Sequence, residues 1–145
     1  MNHLSLAIVF CFVSLPVRSQ ESTPRSLLAA WEKSWNTYNL DEVRRLFVND
    51  SSVTYFSSER AGLIQGIDSV LKHHRSFGFV SGGKTSSNRL WLADTRYLPL
   101  AVTATWYFQR PDGSQQSGPV TFILQKSDKG YRIAHAHFSN DPKGR

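Results

Sequence analysis

Apolar residues recur at helical spacing over the first half of the chain and then change to a period of two. The segment STPRSLLAAWEKSWNTY sets Leu27, Leu28, Trp31, Trp35 and Tyr38 on one helical face, with Ser22 or Thr23 as N-cap and Pro24 in the first turn. In NLDEVRRLF, Asn39 and Glu42 have capping-box spacing and Val43, Leu46 and Phe47 form a second, shorter apolar face. SSVTYFSS is rich in β-formers and predicts a strand, and GIDSVLKHHRSF predicts a third helix presenting Ile67, Val70, Leu71, His74 and Phe77. After the glycine-rich SGGK come four strand-like segments, TSSNRLWLA, LAVTATWYFQ, GPVTFILQK and YRIAHAHFS, separated by the turn segments DTRYLP, RPDGS and SDKG. Helices first and an antiparallel meander second describe an α+β domain with helices covering one face of a sheet.

Period-two sorting divides each strand into faces. Thr103, Thr105 and Tyr107 oppose Val102, Ala104, Trp106 and Phe108; Val120, Phe122 and Leu124 oppose Thr121, Ile123 and Gln125. On the last strand Ala134, Ala136 and Phe138 oppose Ile133, His135 and His137. Both faces carry large apolar groups, so one is expected to meet the helices and the other a partner surface.

The first 20 residues, MNHLSLAIVFCFVSLPVRSQ, change the picture of what the mature domain contains. A polar start, an apolar run from Leu4 to Leu15, Pro16 and compact residues before Ser19 form the layout of a secretory signal peptide over residues 1–19. The run is shorter than the about 20 apolar residues that span a bilayer, so a removed signal with no stable membrane insertion after cleavage is expected, with a retained N-terminal anchor as the alternative. Residues 20–145 then form one domain, and its expected location is secreted or periplasmic. Cys11 is the only cysteine. The mature chain is therefore expected to carry no disulfide, thiol nucleophile or thiolate metal site. Net charge falls from +6 to +5 with the loss of Arg18, and the basic residues are scattered, as at Arg44, Arg45, Lys72, Arg75, Lys84, Arg89, Lys143 and Arg145. Without a basic stripe interleaved with aromatics, no nucleic-acid partner is expected.

The order of elements, together with WYFQRPDGSQQSGPVTFILQKSDKGYRIAHAHFS and its closing Tyr131, Ile133, His135, His137, Ser139 pattern, resembles the nuclear transport factor 2-like superfamily. Within it, the pattern is similar to SnoaL-like domains and to the calcium/calmodulin-dependent kinase II association domain, over roughly residues 24 to 140. The resemblance implies a cone-shaped α+β domain, N-terminal helices packed on a curved, mainly antiparallel sheet, with a cavity between them. It implies ligand-binding positions at Trp31, Trp35, Tyr55, Thr103, Thr105, Phe122, Ala136 and Phe138, suited to a small hydrophobic molecule. It further implies a homodimer through the outer sheet face, with Trp106, Ile133, His135 and His137 at the interface.

Ketosteroid isomerases share this fold and use an aspartate base with a tyrosine and a protonated aspartic acid as oxyanion donors. The matching positions here are Tyr55, Trp31 and Phe122, so that proton abstraction is not expected; Asp50, Glu59 and Asp94 remain carboxylates that could reach a cavity mouth. His135 and His137 share a strand face about 7 Å apart, but the resemblance places the helix carrying His73 and His74 on the inner side of the sheet, so no metal site is expected. GFVSGGKT matches the letters of a phosphate loop between a helix and a strand, the reverse of what that loop needs, and is expected to be a turn. Ser57, Ser58 and Ser139 lack a nucleophile-elbow context, and no cofactor is implied. The two function classes are a binding domain without turnover and an isomerase, cyclase or hydrolase of the same fold acting on a cyclic or polyketide-like substrate.

Overall fold

A computed structural model describes residues 22–142; the expected signal peptide, Lys143 and Arg145 lie outside the described residues. Three helices and six strands follow in the order α1 (Pro24–Asn36), α2 (Leu40–Leu46), β1 (Thr54–Ser57), β2 (Arg60–Gln65), α3 (Ile67–Ser76), β3 (Arg89–Tyr97), β4 (Ala101–Gln109), β5 (Gln115–Ser127) and β6 (Gly130–Phe138). The strands form one sheet in the order β2-β1-β6-β5-β4-β3. Pairing is antiparallel except between β1 and β6. None of the described helices is long and apolar enough to cross a membrane.

The helices form where capping and periodicity place them. Thr23 caps α1 by accepting from Ser26 N at 3.1 Å, while Thr23 N donates to Ser26 Oγ at 2.8 Å. Ser22, the other candidate cap, instead bridges to the sheet, donating to Tyr131 O at 3.0 Å and accepting from Tyr131 N at 2.8 Å. Asn39 caps α2 through Asp41 N and Glu42 N. The reciprocal arm of the expected capping box does not form: Asn39 N donates to Ser34 O at 3.1 Å, and the Glu42 carboxylate pairs with Arg45. The α1 face of Leu27, Leu28, Trp31 and Trp35 and the α3 face of Ile67, Val70, Leu71, His73 and His74 are buried against the sheet.

Three departures from the predicted strands have local causes. β2 was not legible because it is an edge strand in which only Ile64 is buried, so it shows no alternation. The expected turn DTRYLP is mostly strand: β3 runs on to Tyr97 across a bulge between Ala93 and Arg96, with Asp94 at φ 51°. In β6, His135 pairs with Ile123 but Ile133 with Leu124, which leaves Ala134 as an extra residue. That bulge reverses the alternation. Ile133 consequently turns inward and is 0% exposed, while His135 and His137 stay on the outer face.

Gly118 shows how tightly the end of β6 is held. It pairs with Trp106, whose Nε1 donates to Ser139 O at 2.9 Å, and a Cβ on Gly118 would lie 1.9 Å from that same oxygen. Gly118→Ala is expected to push Ser139 away, remove the indole acceptor and lower stability by about 1–3 kcal/mol or more. A urea midpoint unchanged from the wild type, at equal m-value, would contradict this packing.

Candidate functional site

A cavity of about 260 Å³ lies between α1 and the inner face of the sheet and opens beside the β1–β2 turn and the β4–β5 hairpin. Its walls are aromatic because each adjoining element contributes its inward face. α1 supplies Trp35, β1 supplies Tyr55, β4 supplies Trp106 and Phe108, and β6 supplies Phe138; Tyr38, Phe77 and Leu90 complete the apolar surface. Tyr55 and Phe138 are stacked with centroids 5.4 Å apart, and Phe138 meets Trp106 edge-on at 6.1 Å. Trp35 meets Phe77 at 5.3 Å and Phe108 at 6.3 Å. Such tilted and edge-on pairs fix ring orientation as well as filling space.

The mouth is polar. Ser57, Ser58 and Glu59 reach it from the β1–β2 turn, Asn88 from the segment before β3, and Arg110 and Gln116 from the β4–β5 hairpin. Gln116 Nε2 donates to Glu59 Oε1 at 2.6 Å, and Arg110 donates to Gln116 Oε1. The Arg110 guanidinium carbon lies 5.3 Å from the Phe108 ring centroid, within cation–π range. Asn88 donates to the Tyr38 hydroxyl, and Asn140 Nδ2 donates to Ser58 O at 3.1 Å, tying the C-terminal segment to the rim.

Of the expected ligand-binding residues, Trp35, Tyr55 and Phe138 line the cavity. Trp31, Phe122 and Ala136 are fully buried behind it: Trp31 stands 5.2 Å from Phe122 and stacks on Phe138 at 5.4 Å. Thr103 and Thr105 face the other way. β4 alternates as expected, but the helices pack on the side bearing Val102, Ala104 and Trp106, which is the bulkier set. For the same reason Trp106 is a buried cavity wall and not an outer-face residue. Ile133, expected beside it on the outer face, is inside because of the β6 bulge. Phe108 lies on the bulkier β4 face beside Trp106, whereas Leu90, Arg110, Gln116 and Asn88 carry no periodic signal that marks them.

The histidines divide between the two sides. His74 is 0% exposed and its Nδ1 donates to Val70 O at 2.8 Å. Burial drives its pKa down to about 4, so its ring is neutral among Trp35, Phe47, Tyr55 and Phe79. His73, 6% exposed and 5.4 Å from the Tyr55 ring, is lowered by the same cause, and burial keeps the Tyr55 phenol protonated. On the outer face Thr54 Oγ1 and His135 Nδ1 are hydrogen-bonded at 2.8 Å, and the His135 and His137 rings lie 6.3 Å apart around Phe56. Among the described residues no three His, Cys, Asp or Glu side chains are placed to hold a metal ion.

The loop with phosphate-loop lettering is closed by the chain's own carboxylate. Asp41 accepts from Gly82 N at 2.7 Å and Ser81 Oγ at 3.1 Å, bonds that hold its pKa below the usual range. Lys84 meanwhile sits 5.5 Å from the Tyr38 ring centroid. Of the three carboxylates considered for the mouth, Glu59 reaches it. Asp50 binds Ser52 N at 2.7 Å and Ser52 Oγ at 2.6 Å, and Asp94 is exposed on the β3 bulge.

Three helices on a mainly antiparallel sheet, closing on an aromatic cavity, define a nuclear transport factor 2-like α+β fold. A candidate calcium/calmodulin-dependent protein kinase type II association domain from Thiobacillus denitrificans is similar at 17% identity and TM-score 0.66, over 84% of this chain and 98% of that one. A nuclear transport factor 2-like superfamily protein from Salmonella enterica matches at 20% identity and TM-score 0.60, over 81% and 87%. A candidate aromatic ring hydroxylase from Novosphingobium aromaticivorans matches at 16% identity and TM-score 0.58, over 80% and 85%. At these identities the likeness is one of fold. No family model and no curated protein matches the chain.

Proposed function

We propose that this chain is a secreted or periplasmic SnoaL-like domain that binds a small hydrophobic molecule in its cavity without turning it over. The observation that carries the reading is the aromatic cavity of about 260 Å³ with all its charged groups at the mouth. A carboxylate base would have to be Glu59, yet Glu59 is exposed and engaged by Gln116, and the nearby His74 is neutral and enclosed. The signal-like first 19 residues support export. The outer sheet face, carrying Phe56, the stacked Trp91 and Tyr107, and Ile123 at 40% exposure, supports a homodimer between copies of this face.

Native mass spectrometry of the mature protein purified from its own host tests the reading in one experiment. The expected result is a dimer carrying a small-molecule mass that is lost on mild denaturation. A ligand-free protein that also takes up no apolar fluorophore would overturn the binding reading, and a monomer at micromolar concentration would overturn the dimer. Recovery of a chemically altered molecule after incubation with the protein would assign turnover instead.

A further inference from the structure

The mouth carries more information than the apolar walls. Its two charged side chains, Arg110 and Glu59, do not pair with each other, because Gln116 stands between them with its amide nitrogen on Glu59 and its amide oxygen on Arg110. Both ends of the Gln116 amide are thereby occupied, and its orientation is set by the charges on either side. Two other arginines, Arg44 and Arg45, are ion-paired, whereas Arg110 makes no ion pair among the described residues; Asp112, two residues on, feels its charge but is itself held by Ser114. A guanidinium has five N–H donors, and the amide oxygen of Gln116 takes up only part of that capacity.

The two charges differ in setting. Glu59 is exposed, so water and salt screen it. Arg110 is half-buried and lies against Phe108, itself a cavity wall, where a charge interacts more strongly. The mature chain's expected net charge of +5 acts in the same direction, favouring an anion over a cation at this opening.

We propose that the ligand is an aromatic or alicyclic acid, its ring or rings held among Trp35, Tyr55, Trp106 and Phe138 and its carboxylate received by Arg110 at the mouth. This inference rests on the cavity-binding reading above and names the ligand class. The guanidinium fork matches a carboxylate's two oxygens, which a neutral hydroxyl cannot reproduce. A cavity of about 260 Å³ suits a body of one or two rings.

The test uses three probes of matched shape, 3-phenylpropionate, 3-phenylpropan-1-ol and 3-phenylpropylammonium, titrated at pH 7.5 into ¹⁵N-labelled protein. Kd is read from the indole N–H signals of Trp35 and Trp106. The acid is expected to bind at least tenfold more tightly than the alcohol, and the ammonium most weakly. Arg110→Gln should bring the acid to the alcohol's affinity while moving the alcohol less than twofold, and Glu59→Gln should leave the acid's affinity equal or tighter. Equal binding of acid and alcohol by the wild type would overturn the acid assignment and leave the cavity reading standing. Tightest binding of the ammonium would also overturn it and reassign the mouth to cations held by Glu59. Failure of all three probes would overturn both readings.

Discussion

Truncating Trp31 to alanine is expected to remove about 3–5 kcal/mol of folding stability, the range for a fully buried tryptophan. Trp31 is 0% exposed and touches three aromatic partners: Trp35 at 6.2 Å, Phe122 at 5.2 Å and Phe138 at 5.4 Å. Removing it opens a void at the junction of α1, β5 and β6 and leaves Trp35 and Phe138, both cavity walls, without their backing. Against a typical total of about 5–15 kcal/mol, that is a large share, on the order of 10 °C in Tm for a domain of this size. Urea melts of Trp31→Ala and Trp31→Phe measure it, with the phenylalanine variant expected to lose less because it refills part of the void. A loss below about 1 kcal/mol for Trp31→Ala would mean that Trp31 faces open space and belongs to the ligand site after all.

Acid is expected to destabilise the fold well before the carboxylates titrate. In the unfolded chain a histidine takes up its proton near 6.5, but folded His74 resists until about 4, because burial among Trp35, Phe47, Tyr55 and Phe79 penalises the charged ring. The titratable neighbour His73 is also lowered by burial and, once protonated, would oppose the His74 charge. Between these two values the unfolded state binds the extra proton, so the contribution is whole above pH 6.5 and declines as pH falls. It declines by up to about 1.4 kcal/mol per pH unit, and by about 3 kcal/mol once pH 4 is reached. His73 and His135, both lowered, act in the same direction. Unfolding free energies from urea at pH 7.5, 6, 5 and 4.5 should trace this fall, and His74→Phe should flatten it even if its stability at pH 7.5 differs. A wild type equally stable at pH 7.5 and 4.5 would refute the assignment.

Much of the fold is legible in the chain because its signals are local. Thr23 and Asn39 mark helix starts through side chains that reach only two or three residues ahead. The burial of Val102, Ala104 and Trp106 against half-exposed Thr103 and Thr105 follows the predicted alternation residue by residue. β2 escaped notice for an equally local reason. An edge strand that buries only Ile64 has no hydrophobic period to read.

The site was legible in part. Trp35, Tyr55 and Phe138 could be picked out as cavity walls because they are large aromatics on elements whose order resembles a known cone. Arg110, Gln116 and Glu59 could not. They come from two turns far apart in sequence, and each looks like an ordinary solvated residue until β5 and β6 bring the two hairpins to one opening.

From its residues alone the chain determined three helices, five of its six strands, and which residues of most strands travel together on a face, since these depend on backbone propensity, capping and period. Only the tertiary structure decided which β4 face turns inward, because alternation is unchanged when the two faces are exchanged and both carry apolar groups large enough to bury. The choice falls to the volume that the helices present to the sheet, a long-range packing term that no single segment encodes. The bulge at Ala134 was likewise settled by pairing with β5, and it carried Ile133 from the expected outer face into the core while His135 and His137 remained outside.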